Sequence, residues 1–590
     1  MSRPPDSPTL RLLSQSVRSR RAHLSAAIVL ALLAAASGII APLLIARIVG
    51  AIGGERTDLT VLVVELVACV LAGAFAGGWS SYLLSSVGER AIEDVRTAVV
   101  RHAVRLRVPV IRRIGVGEIV SRMGPDAAQL RAITDTGVTV LPVSAILVAA
   151  YLIVMGLLDW VMLTVTVGTF AVASIAIRAF LVGMRKAAQS QQTALGRLAQ
   201  SAQSVFTMIS TVKAYRAEDR AVEPLREETA AAAASAIRAA RAQAAISPLM
   251  GLGQQVAIIG VLAVGGVRLS SGSLDIADFI AFLMYLFQLV NPLMTLAQGA
   301  GRIQIGKAAA MRVDEVLGAE SEPLDTGPAP MVLRHAPALR FCDVDVTLAD
   351  KHVLDSVSLE VPRTGVLAVV GPSGAGKSTL LNVIERFAEP SSGRVELLGT
   401  ALDAWPITEA RRRMALVEQD RTILNMSIRR NLALGLRDDP TDEQLLDALR
   451  TVGLEEAVRT LPEGLDAVLG EGVQMSGGEE QRLAIARALL TDAEILLLDE
   501  PSAHMDGVNE TRLVDLLTRL GRERAVVVVT HRPSTISAAR SIAVMEAGRV
   551  VAIGDHETLL ATCPTYQAIA HGQGAADTSA ALPQLAGQEV

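Results

Sequence analysis

The 590-residue chain is short of charge, lysine and cysteine, and each shortage narrows the reading. Charged residues make up 19% against 51% hydrophobic, with a mean hydropathy of +0.41. That balance disfavours an all-soluble enzyme and points to a membrane protein. A net charge of −5 leaves no basic footprint for nucleic acid. The three cysteines, Cys69, Cys342 and Cys563, are too far apart for metal-ligand spacing and read as reduced, structural residues. Lysine occurs only at 186, 213, 307, 351 and 377, so the one inside a glycine-rich loop, Lys377, stands out. No short signal peptide with a small-residue cleavage site opens the chain. Instead "RLLSQSVRSRRAHL" leads into an apolar run from Ala26, which reads as a retained helix with its basic N-terminal side in the cytoplasm.

What is present is length and apolar runs. The length suits two or three domains. Apolar segments near 26–53, 60–86, 136–158, 160–182, 248–269 and 276–299 are each long enough to cross a bilayer, which takes roughly 20 residues. Short turns at 54–59, 159 and 270–275 alternate with long, Arg-bearing segments at 87–135 and 183–247. The positive-inside rule puts those long segments, the N-terminus and everything after the sixth span in the cytoplasm. Their Ala, Leu, Gln and Arg content predicts helices continuing out of the membrane. Glu65 is either a functional intramembrane charge or a solvated one near a span end. Gln254, Gln255, Gln288, Asn291 and Gln298 line a cavity or bond between helices.

Around 321–336 periodicity gives way to prolines and acids, the mark of a linker. Short β-branched runs at 365–370, 495–498, 525–530 and 541–545 then alternate with helical stretches, which predicts an α/β domain over 337–573 with buried parallel strands. Residues 574–590 read as a disordered tail.

The chemistry is concentrated in that second half. "LAVVGPSGAGKSTLLNVI" (367–384) is strand, Gly371-x4-Gly376-Lys377-Ser378 and helix, a phosphate-binding P-loop in its required context. Its backbone N–H groups converge on phosphate oxygens, Lys377 supplies a cation to the β- and γ-phosphates, and the Ser378 hydroxyl can ligate Mg²⁺. "ILLLDE" places Asp499 at the end of a buried strand to support the metal, with Glu500 next to it to deprotonate water. "VVVVTH" ends another buried strand at His531.

With these residues in place the chain resembles the ABC transporter family. "MSGGE" (475–479) is similar to the family signature, Gln419 in "ALVEQD" to its Q-loop, "AHMD" ending at Asp506 to its D-loop, and His531 to its switch histidine. "GEIVSRM" (117–123) and "TVKAYRAEDR" (211–220) resemble the neighbourhoods of its two coupling helices. The resemblance implies a membrane domain of six transmembrane helices (1–320), a linker (321–336) and a P-loop NTPase domain of ABC type (337–573). It implies that Gly371, Pro372, Ser373, Gly374, Ala375, Gly376, Lys377, Ser378 and Thr379 bind ATP. Ser378, Gln419 and Asp499 would hold Mg²⁺, and Glu500, His531 and Gln419 would serve catalysis. Ser476, Gly477, Gly478 and Glu479 would cover ATP held by a partner half-transporter, the acid accepting a ribose hydroxyl. Three positions depart from the family pattern: Thr347 and Leu348 stand where an adenine-stacking aromatic is usual, the segment after Glu471 is one residue short, and Glu479 replaces Gln.

The resulting expectation is ATP-driven export of a small molecule, lipid or peptide by a dimer, homo- or heteromeric, in a bacterial plasma membrane. An importer on the same fold and a non-hydrolysing regulatory subunit are the alternatives. A soluble ABC ATPase is excluded by the six apolar runs.

Overall fold

The computed structural model describes residues 7–52, 58–244, 246–323, 327–348, 351–419, 423–470, 472–503 and 505–571. Glu471, His504 and the expected tail at 574–590 lie outside the described residues. The chain divides into two compact units, Met1–Arg105 with Ile114–Ala319, and Leu106–Arg113 with Glu320–Val590.

The first unit is helical. A short helix, α1 (Pro8–Ser19), opens with Ser7 as N-cap and proline at its first position. It leads into α2 (Arg21–Ile52) and α3 (Leu59–Ala103). Among the described residues, five helices are long and apolar enough to cross a membrane: α2, α3, Val116–Leu158 taken with its π-helical turns, Gly251–Ser270 and Ile276–Leu317. The expected fourth span falls on the helix Trp160–Thr207, whose described apolar part is Trp160–Val172. That helix and α3 continue well past their apolar stretches, as the good helix formers beyond them predict.

Small residues let these helices approach. A Cβ at Gly73 would sit 2.4 Å from Ser37 Oγ, so glycine is required where α3 crosses α2. Ser37 donates to Cys69 O at 2.7 Å and Ser80 to Ala27 O at 2.7 Å, so neither hydroxyl is left unbonded in an apolar contact. Tyr151, Met155, Phe282, Tyr285 and Leu286 are buried together. Gln288 accepts from Tyr151 Oη at 3.0 Å, so it serves as an interhelical bond. Glu65 is exposed within the first two turns of α3.

Two polar staples hold the unit. Asp159, in the turn between two helices, accepts from Val161 N and Met162 N at 2.9 Å each, and from Arg268 Nε at 2.6 Å. Buried Arg122 donates to Arg312 O at 2.7 Å and Glu315 Oε2 at 2.6 Å, while Arg312 grips Asp126 at 2.9 and 2.6 Å. Asp159, Arg122 and Asp126 are the buried ends of these pairs, so leaving any of them without its partner is costly.

The second unit is built on two sheets. A six-stranded sheet runs in the order β10 (Arg549–Gly554), β9 (Ser541–Glu546), β3 (Gly365–Val370), β8 (Ala525–Val529), β7 (Ile495–Asp499) and β6 (Met414–Val417). All but β10 are parallel. Alternate residues of each strand enter different cores: Val366, Ala368 and Val370 on one face, Leu367 and Val369 on the other. Burial on both faces explains why these strands read as unbroken apolar runs. A four-stranded antiparallel sheet, β2 (Lys351–Val361), β1 (Leu339–Leu348), β4 (Ser392–Leu397) and β5 (Thr400–Ala401), packs in the second core.

Most of the short helix Val108–Ile114 is counted with this second unit. Arg107 pairs with Glu389 at 2.9 Å and donates its N–H to Glu320 O at 3.4 Å. The segment 117–123 instead lies in the first unit, in a helical turn ending at Ser121 and the π-helical turn after it. Arg411 anchors the start of the linker through Glu322, with bonds of 2.7 and 2.8 Å, and lies over the Phe387 ring.

Beside Arg411 sits Glu385, 5% exposed, its carboxyl pushed up to about 7 by burial against the pull of Arg411, 4.0 Å away. A folded pKa above the ordinary 4.5 means the folded state holds this proton more tightly. Its contribution to stability is therefore full at low pH and is lost as pH rises from about 4.5 through about 7. Glu385→Gln is expected to stabilise the second unit at pH 8 by on the order of 2 kcal/mol and to flatten that pH dependence. Thermal unfolding at pH 6 and pH 8 checks it.

Candidate functional site

The strand order gathers the motifs. Adjacent strands β3, β8, β7 and β6 deliver, from their carboxyl ends, the P-loop, His531, the Asp499–Glu500 pair and Gln419 in turn. The carboxyl edge of an open α/β sheet is where such folds bind ligands.

The P-loop needs its glycines for two reasons. A Cβ at Gly371 would lie 2.2 Å from Met545 O, and Gly376, at φ +97°, turns the chain into the helix Lys377–Ile384. Pro372, Ser373, Gly374 and Ser378 are exposed, Gly371, Lys377 and Thr379 are half-buried, and Ala375 and Gly376 are buried. Lys377 Nζ donates to Gly371 O at 2.8 Å and Pro372 O at 2.9 Å, so the lysine closes the loop on itself. Burial draws its ammonium down, while Glu500 and Asp499 oppose that.

Asp499 hydrogen-bonds Ser378. Burial pushes the Asp499 carboxyl up, and the Ser378 bond counteracts it. Glu500 has φ +46°, a conformation that bulky residues rarely adopt, with its N–H donating to Val529 O at 2.9 Å. Strained backbone of this kind persists where the surroundings dictate it, and it gathers at functional sites. The Glu500 carboxylate accepts from Gln419 Nε2 at 3.0 Å and lies 3.3 Å from His531 Nδ1. Lys377, Ser378, Gln419, Asp499, Glu500 and His531 thus form one constellation.

Ser476, Gly477, Gly478 and Glu479 stand apart from it in sequence, opening the helix Gly477–Leu489. Ser476 N and Oγ both donate to Glu479 Oε2 at 2.8 Å, and Glu479 N donates back to Ser476 Oγ at 3.4 Å. The Glu479 side chain caps its own helix. "SGGE" is itself a Ser-x-x-Glu capping box, a signal present in the sequence that reading it as a ligand site overlooks. Asp506 caps the helix Gly507–Leu520 by accepting from Asn509 N at 3.0 Å. Thr347 and Leu348 are exposed at the end of β1, Thr347 N donating to Ser391 Oγ at 3.0 Å.

Both halves of the chain resemble known proteins. Residues 24–293 match the ABC transporter transmembrane region and residues 354–503 match the ABC transporter family. The chain is 31% identical over 486 residues to an ATP-dependent lipid A-core flippase of Desulfotalea psychrophila, covering 82% of this chain and 85% of the flippase. The chain belongs to the ABC transporter family. It is also 31% identical to the mitochondrial ATP-binding cassette sub-family B member 10 of Mus musculus over 92% of this chain and 78% of that protein. A multidrug resistance ABC transporter of Lactococcus lactis is 29% identical over 85% of each. Among solved structures, a bacterial Atm1-family ABC exporter with ATP bound superposes with a TM-score of 0.80 at 25% identity, covering 95% of this chain and 99% of that one. This ABC transporter is a half-transporter of exporter type, with a helical membrane domain and an ATP-binding domain on one chain. It is a membrane protein and an ATPase-coupled transporter.

Proposed function

We propose that this half-transporter exports a neutral or amphipathic substrate, lipid-like or a small molecule, as a dimer of two copies in a bacterial plasma membrane. The observation that carries the ATPase is the bonding of Glu500 to Gln419 and His531 beside the P-loop. Glu500 is the general base for the attacking water, with Gln419 and His531 holding its carboxylate; His531 also faces the transferring phosphate. Lys377 neutralises the β- and γ-phosphates. The hydroxyl of Ser378, the amide oxygen of Gln419 and the carboxylate of Asp499 are hard oxygen donors that suit Mg²⁺, and the Ser378–Asp499 bond supports their convergence. When bound, that ion would neutralise charge on the phosphates. One chain carries one P-loop and one signature segment, so Ser476, Gly477 and Gly478 are assigned to ATP on the partner's P-loop.

Export is supported by the flippase and multidrug relatives. Substrate neutrality is supported by a cleft of about 340 Å³ in the first unit, between α2, α3 and the region Thr139–Tyr151, whose lining has no acidic or basic side chain. The test is reconstitution in vesicles with the ATPase domain outward. ATP should drive a fluorescent phospholipid or an uncharged amphipathic dye to the opposite side. ATP hydrolysis with neither probe moved would sink the substrate assignment.

A further inference from the structure

Both phosphate-binding elements are occupied by the protein's own groups. On one, Lys377 Nζ is bonded to the carbonyls of Gly371 and Pro372. On the other, Glu479 Oε2 takes both donors of Ser476, at 2.8 Å each, at the N-terminus of the signature helix. The two self-contacts differ in what an incoming triphosphate does to them. Replacing carbonyls by phosphate at Lys377 brings a cation and an anion together. Bringing phosphate to Ser476 sets an anion against the Glu479 carboxylate, which already sits where the helix terminus favours negative charge. The bonds from Ser476, backbone first, keep that carboxyl below the usual carboxylate range, so it stays charged at neutral pH.

We propose that Glu479 is a placeholder: its carboxylate, bonded to Ser476, occupies the phosphate-binding end of its own signature helix, and it must release Ser476 before the partner's nucleotide can be sandwiched there. Release of Ser476 frees an N–H and a hydroxyl donor at once. Glu479 is therefore a positioning residue that sets how much ATP is needed to close the dimer. This rests on the assignment of the signature segment to the partner's ATP.

The placeholder predicts a specific pattern of substitutions. Glu479→Gln keeps the capping geometry, since Gln serves in a capping box, but removes the charge. Glu479→Ala removes both. A residue that merely caps the helix would tolerate Gln unchanged and suffer with Ala, whereas a placeholder makes both variants close at lower ATP.

The experiment measures radiolabelled ATP retained after rapid desalting by the full chain in lipid nanodiscs, in a Glu500→Gln background that prevents turnover. Half-maximal retention is expected at roughly three- to tenfold lower ATP for Glu479→Gln, the size of a partly screened like-charge contact, with Glu479→Ala shifted the same way. A Gln variant at the parental concentration, with or without a higher requirement for Ala, overturns the placeholder. No retention by the Glu500→Gln parent at any ATP concentration overturns the composite sandwich beneath it, a result distinguishable from the first.

Discussion

Replacing Glu500 by Gln should lower ATP hydrolysis by about 10²–10⁴-fold, the usual span for loss of a general base, while leaving ATP binding near the parental level. The substitution is nearly isosteric, so the effect is chemical. The amide can still accept from Gln419, whose amide nitrogen bonds one carboxylate oxygen at 3.0 Å. It can no longer take a proton from water. Backbone placement survives too, because the φ of +46° and the bond from Glu500 N to Val529 O do not depend on the side chain. Lys377 and Ser378, on the neighbouring P-loop, are untouched, so nucleotide affinity has no reason to fall. Steady-state ATPase and equilibrium nucleotide binding on the same preparation check both halves. Hydrolysis within about tenfold of the parent would remove Glu500 from the base role and leave His531 or Asp499 to be tested for it. Loss of binding together with hydrolysis would mean that the carboxylate holds the loop open for ATP.

The parts of this site that were legible in the sequence are those in which the backbone dictates residue type. A parallel strand buried on both faces must be apolar throughout, so "LAVV", "ILLL" and "VVVV" announce themselves, and the glycines, lysine and acids follow at their ends. Their meeting was legible through the family resemblance and not through local pattern. Strand order is fixed by crossovers and not by local pattern, and only the order β3, β8, β7, β6 puts Gln419 and His531 on opposite oxygens of Glu500. The helices were legible as apolar runs, whereas their irregularities were not. The π-helical turn at Arg122–Asp126 meets Arg312 and Glu315, which lie far along the chain. At Glu479 the difficulty was a choice between two valid meanings. The same four residues spell a phosphate-binding turn and a capping box, and only coordinates show which bonds the carboxylate makes.

A mixing experiment decides whether the two phosphate-binding elements belong to one active site shared between copies. Lys377→Ala removes the cation on the P-loop. Ser476→Arg removes the N-cap hydroxyl of the signature helix and fills the space beside Gly477 with a long side chain. Each variant alone should fall to roughly 1% of parental hydrolysis or less, since every site in a symmetric dimer then carries the defect. A mixed dimer is different. One of its sites combines the altered P-loop with the altered signature, and the other combines two intact elements. Selection for both variants leaves only mixed dimers, each with one good site of two, so the co-assembled complex should recover about half of parental activity. Co-expression with two affinity tags, followed by ATPase measurement on the doubly purified complex, checks it. If the P-loop and signature of the same chain served one nucleotide, no mixture could recover anything, because each chain would be defective by itself. If the working dimer required a different half-transporter, two copies of this chain would fail to co-purify. Recovery therefore requires both pairing between copies and exchange of the signature segment across that pair, and it places Ser476 on the partner's nucleotide without any assumption about what is transported.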